Sequence, residues 1–153
     1  LYTEAESAAA ALSAKPEELH AAVTRLLAAR EEDARRAAAV RRALAEMTAK
    51  TLPQNQPLCA VFLPDADAKL CRSLLTAAQK RENRVCAVFS GSDREGYTGV
   101  IGSEDTDLSP LAGLLRQELS ARGGGSAACW QGKIAASQHA IETCHARFAA
   151  AAE

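Results

Sequence analysis

The fold is decided by residues 58–89, which read LCAVFLPDADAKLCRSLLTAAQKRENRVCAVF. This stretch begins and ends with a short apolar run, at 58–63 and 84–89, and each run is rich enough in Val and Phe to be a buried strand. Between them, Asp65, Asp67 or both can begin a helix with an apolar side formed by Leu70, Leu74, Leu75 and Ala78. Runs that are buried on both faces predict a sheet covered at least in part by helices, with parallel strand pairs.

The residues that follow predict four more elements. A turn at 90–93 leads to a strand at 97–101, and Ser109 and Pro110 open a helix that carries Leu111, Leu114, Leu115 and Leu119. A strand at 130–134 precedes a final helix at 137–151, whose inward side is formed by Ala140, Ile141, Cys144 and Phe148. The order is therefore β-α-β-β-α-β-α. We expect residues 53–153 to form an α/β domain, a small mixed β-sheet flanked by helices.

The residues before this domain predict helices. Alanine occupies 17 of the first 50 positions, and Pro16 separates a short helix at 3–13 from a long one at 17–52. Along the long helix, seven of ten positions at alternating spacings of four and three are apolar, namely Leu19, Val23, Leu26, Ala37, Val40, Leu44 and Met47. The other three positions of this register are polar, Arg30 and Asp33 in its middle and Thr51 at its end. This spacing is typical of a coiled coil or a helical hairpin. Residues 1–52 are thus expected to be a helical connector, whose long helix packs on the first helix, on another chain or on a further part of the protein. Of these, pairing with a second copy of the chain is the expected arrangement.

Composition excludes several classes of protein. No apolar stretch approaches the ~20 residues that a membrane-spanning helix needs. There is no charged start followed by an apolar signal core, so secretion is not expected. The five cysteines are odd in number and form no CxxC pair, so we expect free thiols and a cytoplasmic location. Metal binding and catalysis by this chain are not expected. The spacing of Cys129, His139, Cys144 and His145 suits neither a zinc site nor a nucleophile paired with a base.

The most specific segment is RGGGSAACWQGK at 122–133. Three consecutive glycines allow a backbone turn with positive φ, and free N–H groups in such a loop form a concave anion site. The alternative is a helix C-cap followed by a flexible turn. Arg122 and Lys133 add positive charge near any phosphate, and Ser126 adds a hydroxyl. The candidate binding residues are Arg122, Gly123, Gly124, Gly125, Ser126, Gln131, Gly132 and Lys133, together with Arg94 in the turn after the second strand.

The same segment carries a resemblance to a known family. GGGS followed by WQG resembles the glycine-rich signature of the DHH-associated domain in alanyl-tRNA editing proteins of the AlaX type, which are related to the C-terminal region of alanyl-tRNA synthetases. LSAKPEELHAAVTRLLAAREE at 12–32 is similar to the segment that enters the long connecting helix of that family. DTDLSPLAGLLRQELSARGGGS at 105–126 is similar to the helix that leads into its glycine loop. DHH phosphoesterases usually have His after the glycines, where this chain has Ser126.

The resemblance implies a C-terminal module that binds tRNA, in particular tRNA(Ala), and forms a homodimer. The intact editing proteins hydrolyse tRNA(Ala) mischarged with serine or glycine in a separate zinc domain marked by HxxxH and CxxxH, and neither pattern occurs here. We therefore expect a fragment beginning at Leu1 that is not an enzyme and has no cofactor, with zinc in the missing catalytic domain. The alternatives are the C-terminal domain of an alanyl-tRNA synthetase and a purely structural dimerisation module.

Overall fold

A computed structural model describes residues 2–151. It contains five helices, α1 Tyr2–Ala11, α2 Leu19–Lys50, α3 Ala68–Gln79, α4 Ser109–Leu119 and α5 Gln138–Ala151, and five strands, β1 Leu58–Leu63, β2 Val85–Ser92, β3 Gly96–Ser103, β4 Arg122–Gly125 and β5 Cys129–Ile134. The α/β fold class is confirmed. The chain divides into two compact units, Leu1–Val40 and Arg41–Glu153. The division expected at residues 52 and 53 stays a prediction. No helix within the described residues is long and apolar enough to cross a membrane.

The first unit is helical, and its break lies where the sequence places it. Ser13 adopts a left-handed conformation, with φ 50°, and the next amide, that of Ala14, donates to the Ala9 carbonyl at 2.9 Å. This pairing closes α1 as a Schellman-type cap. Pro16–Glu18 then forms a single 3-10 turn, after which α2 begins at Leu19. Pro16 therefore starts the second helical segment, because its fixed φ suits a first turn and its missing N–H is not needed there.

The second unit is built on a five-stranded sheet with the order β1-β2-β3-β5-β4. The expected parallel pair is present between β1 and β2, and the other pairs are antiparallel. Among the described strands, β1 and β4 therefore form the two edges. The side chain of Asp67 caps the start of α3, because its Oδ1 accepts from the Leu70 amide at 2.7 Å.

The three consecutive glycines form a strand, and this corrects the predicted loop. Arg122–Gly125 pairs antiparallel with β5, which adds one strand to the predicted order and makes it β-α-β-β-α-β-β-α. Only Gly91 and Gly96 have positive φ among the glycines, so neither the concave anion loop nor the helix cap at 123–125 exists. Ser120, with φ 52°, ends α4 instead. The glycines are extended because a turn at 126–129 folds them back onto the free edge of β5.

Alternate residues of the strands separate two apolar clusters. On the α4/α5 face of the sheet, α4 and α5 cover a cluster that includes Phe89, Ile101, Trp130 and Ile134. On the α3 face, α3 and the last turns of α2 cover a cluster that includes Cys86, Val88 and Val100. All five cysteines are free, four are buried, and Cys129 is exposed. The cover of the α3 face is incomplete and leaves a cavity beside α3.

Candidate nucleic-acid interface

The glycines of the segment at 122–133 are explained by the packing of Trp130. On the α4/α5 face, a Cβ added at Gly123 or Gly132 would lie 2.9 or 2.8 Å from Cζ2 of the indole and would overlap the neighbouring strand's backbone. Trp130 is buried, as expected of a core residue, so its ring lies over two strands that have no side chain at these points. Gly124 is different, because a Cβ there would meet nothing within 4 Å.

The outer edge of β4 presents backbone groups to solvent. Ser126 and Cys129 exchange two backbone hydrogen bonds, at 2.8 and 3.4 Å. From this pair onward, hydrogen-bonded and non-hydrogen-bonded residue pairs alternate along the hairpin. The register then directs the N–H groups of Gly124 and Arg122 toward β5 and those of Gly123 and Gly125 away from the sheet. All four residues of β4 are exposed. The glycines thus offer two outward amide donors, on an extended strand and not in a curved loop.

A groove lies on the α3 face of the sheet, beside the area that α3 covers. It has a volume of about 380 Å³ and a largely apolar floor that includes Cys71 and Val100. Its rim carries Arg72, Thr98, Gln131 and Lys133, the last three from β3 and β5. Nη2 of Arg72 donates to Oε1 of Gln131 at 3.2 Å. We call this cavity the α3–β5 groove.

The sheet register joins a further cation to this rim. Thr98, Lys133 and Arg122 are direct partners across β3, β5 and β4, so all three side chains lie on the α3 face. Within the described residues, the ion pairs involve Arg36, Arg41 and Arg147, and none of the cations of the groove. Arg72, Lys133 and Arg122 therefore present positive charge that no carboxylate of the described chain neutralises.

Arg94 and Ser126 lie at opposite ends of the sheet. Arg94 is in the turn between β2 and β3, at the same end as Lys133. This turn is fixed because Oδ1 of Asp93 accepts from the Gln138 amide and the Tyr97 hydroxyl, both at 2.8 Å, and these bonds hold the pKa of Asp93 below its ordinary value. Ser126 closes the other end of the β4–β5 hairpin, with its hydroxyl accepting from the Ala128 amide at 3.2 Å. The structure therefore does not bring Ser126 to the groove.

The other seven predicted site residues fall into two sets. Arg122, Gly124, Gln131 and Lys133 share the α3 face, whereas the missing side chains of Gly123, Gly125 and Gly132 make room for backbone and indole. Arg72 was not predicted, although its position about 100° around the helix from buried Cys71 marks the border of the apolar stripe of α3. The sequence does not show which strand this border meets.

Residues that suggested metal or nucleophilic chemistry lie elsewhere. Within residues 2–151 no group of three or more His, Cys, Asp or Glu side chains is placed to hold a metal ion. Cys144 and His145 are buried against the α4/α5 face. Burial, with a hydrogen bond to Glu118, raises the pKa of Cys144 to about 11, and burial lowers the pKa of His145 to about 4. At neutral pH both groups are uncharged core residues.

Comparison with known proteins shows the fold of the chain. No family model and no curated protein matches the sequence. RecJ from Thermus thermophilus, solved in complex with Mg²⁺, is similar with a TM-score of 0.55 and 16% identity, over 90% of this chain and 21% of RecJ. The C-Ala domain of alanyl-tRNA synthetase from Aquifex aeolicus is similar with a TM-score of 0.46 and 16% identity, over 61% of this chain and 93% of that domain. The likeness to RecJ establishes a shared fold over most of the chain.

Proposed function

We propose that this chain is a nucleic-acid-binding module whose partner is tRNA, with tRNA(Ala) preferred. It would act as the C-terminal module of an alanyl-tRNA editing protein and would have no catalytic activity of its own. The observation that carries the proposal is the α3–β5 groove, whose apolar floor is lined by Arg72 and Lys133, with Arg122 beside Lys133 on the same face of the sheet. None of these three cations forms an ion pair within the described residues. Among nucleic acids, tRNA is proposed because the segment at 122–133 resembles the glycine-rich signature of alanyl-tRNA editing proteins.

The chemistry of the groove suits an RNA strand better than a small anion. Cations spaced along a rim follow a phosphate backbone, while an apolar floor accepts the face of a base or a ribose. Gln131 and Thr98 add donors and acceptors that suit base edges and 2′-hydroxyls. The net charge of the whole chain is −1, so its affinity must come from this local cluster.

Binding of a tRNA(Ala) transcript to the purified chain tests the proposal. We expect Lys133→Gln and Arg122→Gln each to weaken binding about three- to tenfold and to lower the slope of log K against log salt by about 1 per lost phosphate contact. Arg116→Gln is the matched control, because it removes the same charge from an exposed position on α4, on the α4/α5 face. Absence of binding at low salt, or equal losses in the control, would refute the proposal.

The editing role makes two further claims that can be measured. An unrelated tRNA should bind less tightly than tRNA(Ala), and the chain alone should hydrolyse Ser-tRNA(Ala) no faster than buffer does. The same two results are compatible with a synthetase domain. Adding the chain to a zinc-dependent editing domain separates the two, since faster deacylation is expected only of an editing module.

Dimerisation is a second candidate function, favoured by exposed apolar side chains on α2. Val40, Leu44 and Met47 are 68%, 50% and 67% exposed and lie on the predicted seam. Val23 and Leu26, at 38% and 54%, continue that seam toward the helix N-terminus. Apolar side chains at this spacing are stabilised when a partner helix covers them. We propose that the partner is α2 of a second copy.

Sedimentation equilibrium tests this candidate. The wild-type chain should be a dimer at micromolar concentration, and Val40→Glu should make it a monomer by placing a charge in the seam. Ala38→Glu is the matched control, because Ala38 is equally helical but lies about 200° around the helix from Val40. A monomeric wild-type chain at high concentration would exclude this function.

A further inference from the structure

The edge of the sheet formed by β1 also has unpaired backbone groups. β1 pairs with β2 in register, with Leu58 opposite Val85, and the Val85 amide donates to the Pro57 carbonyl at 3.2 Å. In a parallel pair, this bond means that residues 57, 59, 61 and 63 direct their groups toward β2. The N–H and C=O groups of Leu58, Ala60 and Phe62 therefore point away from the sheet, and no described strand pairs with them.

A groove runs beside these unpaired groups. It has a volume of about 340 Å³ and lies between β1, at Leu58 and Ala60, and the flank of α5. That flank contributes Glu142, His145, Ala146 and Ala149. The two alanines leave space beside the helix that a larger residue would fill. We call this cavity the β1–α5 groove, and it is separate from the residues that line the α3–β5 groove.

His145, which lines this groove, is a buried polar residue. The residue is only 3% exposed, and its ring centroid is 5.5 Å from that of Phe89. Neither imidazole nitrogen has a hydrogen-bond partner in the described part of the chain. A buried polar group without a partner is rare in folded proteins and calls for an explanation. An occupant of the groove that offers a donor or an acceptor to the imidazole supplies one.

The single formal charge of the lining indicates the chemistry of the occupant. Among the described residues that line the β1–α5 groove, Glu142 is the only one charged at neutral pH. Unpaired backbone groups at alternate residues of an edge strand match the backbone of another extended chain, whose side chains then enter the adjacent groove. We propose that the β1–α5 groove binds an extended peptide segment of a partner protein, which adds a strand to β1 and places a basic side chain against Glu142.

Selection from a phage-displayed library of random peptides on the purified chain tests the proposal. Enriched sequences should share a Lys or Arg within a stretch of β-forming residues, and the synthetic peptides should bind in solution. Ala60→Pro removes an outward N–H without removing a bond to β2, and should weaken binding at least tenfold. Glu104→Lys, a charge change at an exposed position after β3 that does not line the groove, is the control and should bind within about twofold of the wild type. Thermal melting of each variant verifies that it is folded.

Two further variants keep the test decisive if Ala60→Pro does not fold. Glu142→Lys should weaken binding at least tenfold and Glu142→Gln less, while Ala146→Trp should block the groove from the exposed flank of α5. Enrichment of no peptide, or peptides that bind Glu142→Lys and Ala146→Trp as they bind the wild type, would overturn the proposal. A dimer that Ala60→Pro or Ala146→Trp converts to a monomer would show that the occupant is a second copy, and would overturn it as well.

Discussion

Nη2 of Arg72 on α3 donates to Oε1 of Gln131 on β5 at 3.2 Å, joining two residues that are 59 positions apart in the sequence. Both residues line the α3–β5 groove, so the bond holds the guanidinium beside it. Arg has five N–H donors, so the remaining ones stay available to a phosphate. Gln131 is therefore expected to position Arg72 and not only to contact RNA itself.

A double-mutant cycle for tRNA binding measures this positioning. Arg72→Ala should weaken binding about five- to tenfold, because a cation and its donors are lost from the rim. Gln131→Ala should weaken it less, and in the Arg72→Ala background it should have a smaller effect than in the wild type. We expect a coupling of about 0.5 kcal/mol or more, since the two residues share one hydrogen bond. Fluorescence anisotropy at fixed low salt gives the four affinities. Strictly additive losses would show that each residue acts alone.

The glycines of β4 and β5 should differ in their tolerance of a methyl group. Gly132→Ala is expected to lower the free energy of unfolding by about 1–3 kcal/mol, because the new Cβ overlaps the backbone of β4 and approaches the Trp130 ring. Gly124→Ala should change it by less than about 0.5 kcal/mol, since that Cβ meets nothing within 4 Å. Urea titration followed by Trp fluorescence measures both. Equal losses would contradict the packing described for the indole.

The elements that the sequence predicts well are those fixed by neighbouring residues. The strand predicted at 58–63 is found with those bounds, and a predicted capping residue, Asp67, is the one that begins α3. The glycines at 123–125 were predicted wrongly as a loop because their composition favours turns, whereas pairing with β5 is a long-range effect. Intrinsic strand propensity depends on side chains. It therefore cannot reveal a strand made of glycines that are there to leave room for a neighbouring strand and an indole ring.

The candidate site was predictable in part for the same reason. Arg122 and Lys133 are 11 residues apart, and a short hairpin makes them direct partners. Arg72 was missed because nothing local shows that α3 meets β5. His145 was missed because a polar residue was not expected inside, although positions 141, 144, 145 and 148 follow helical spacing and are all buried.

The five cysteines should divide into one reactive thiol and four protected ones. Burial raises the pKa of Cys59, Cys71 and Cys144, and it raises that of Cys86 to about 12, so little thiolate exists at these sites at neutral pH. Cys129 is exposed at the start of β5. Iodoacetamide at pH 7.5 should therefore modify the native chain once, and mass spectrometry of peptides should locate the label at Cys129. Cys129→Ser should abolish it, and rapid labelling of a second cysteine would contradict the burial described.

His145 should make the stability of the chain depend on pH in the acid range. Burial lowers its pKa from the ordinary 6.5 to about 4, with Glu142 opposing the shift in part. Because the folded pKa is the lower one, the unfolded chain binds more protons between these values. Stability is therefore complete above pH 6.5 and falls as the pH decreases toward 4. The shift corresponds to at most about 3 kcal/mol, and to about 2 kcal/mol at pH 5.

The melting temperature of His145→Phe should fall less between pH 7.5 and pH 5 than that of the wild type does. His139→Phe, at an exposed histidine on the same helix, should follow the wild type. Identical pH profiles for the wild type and His145→Phe would show that His145 is not the buried neutral group described.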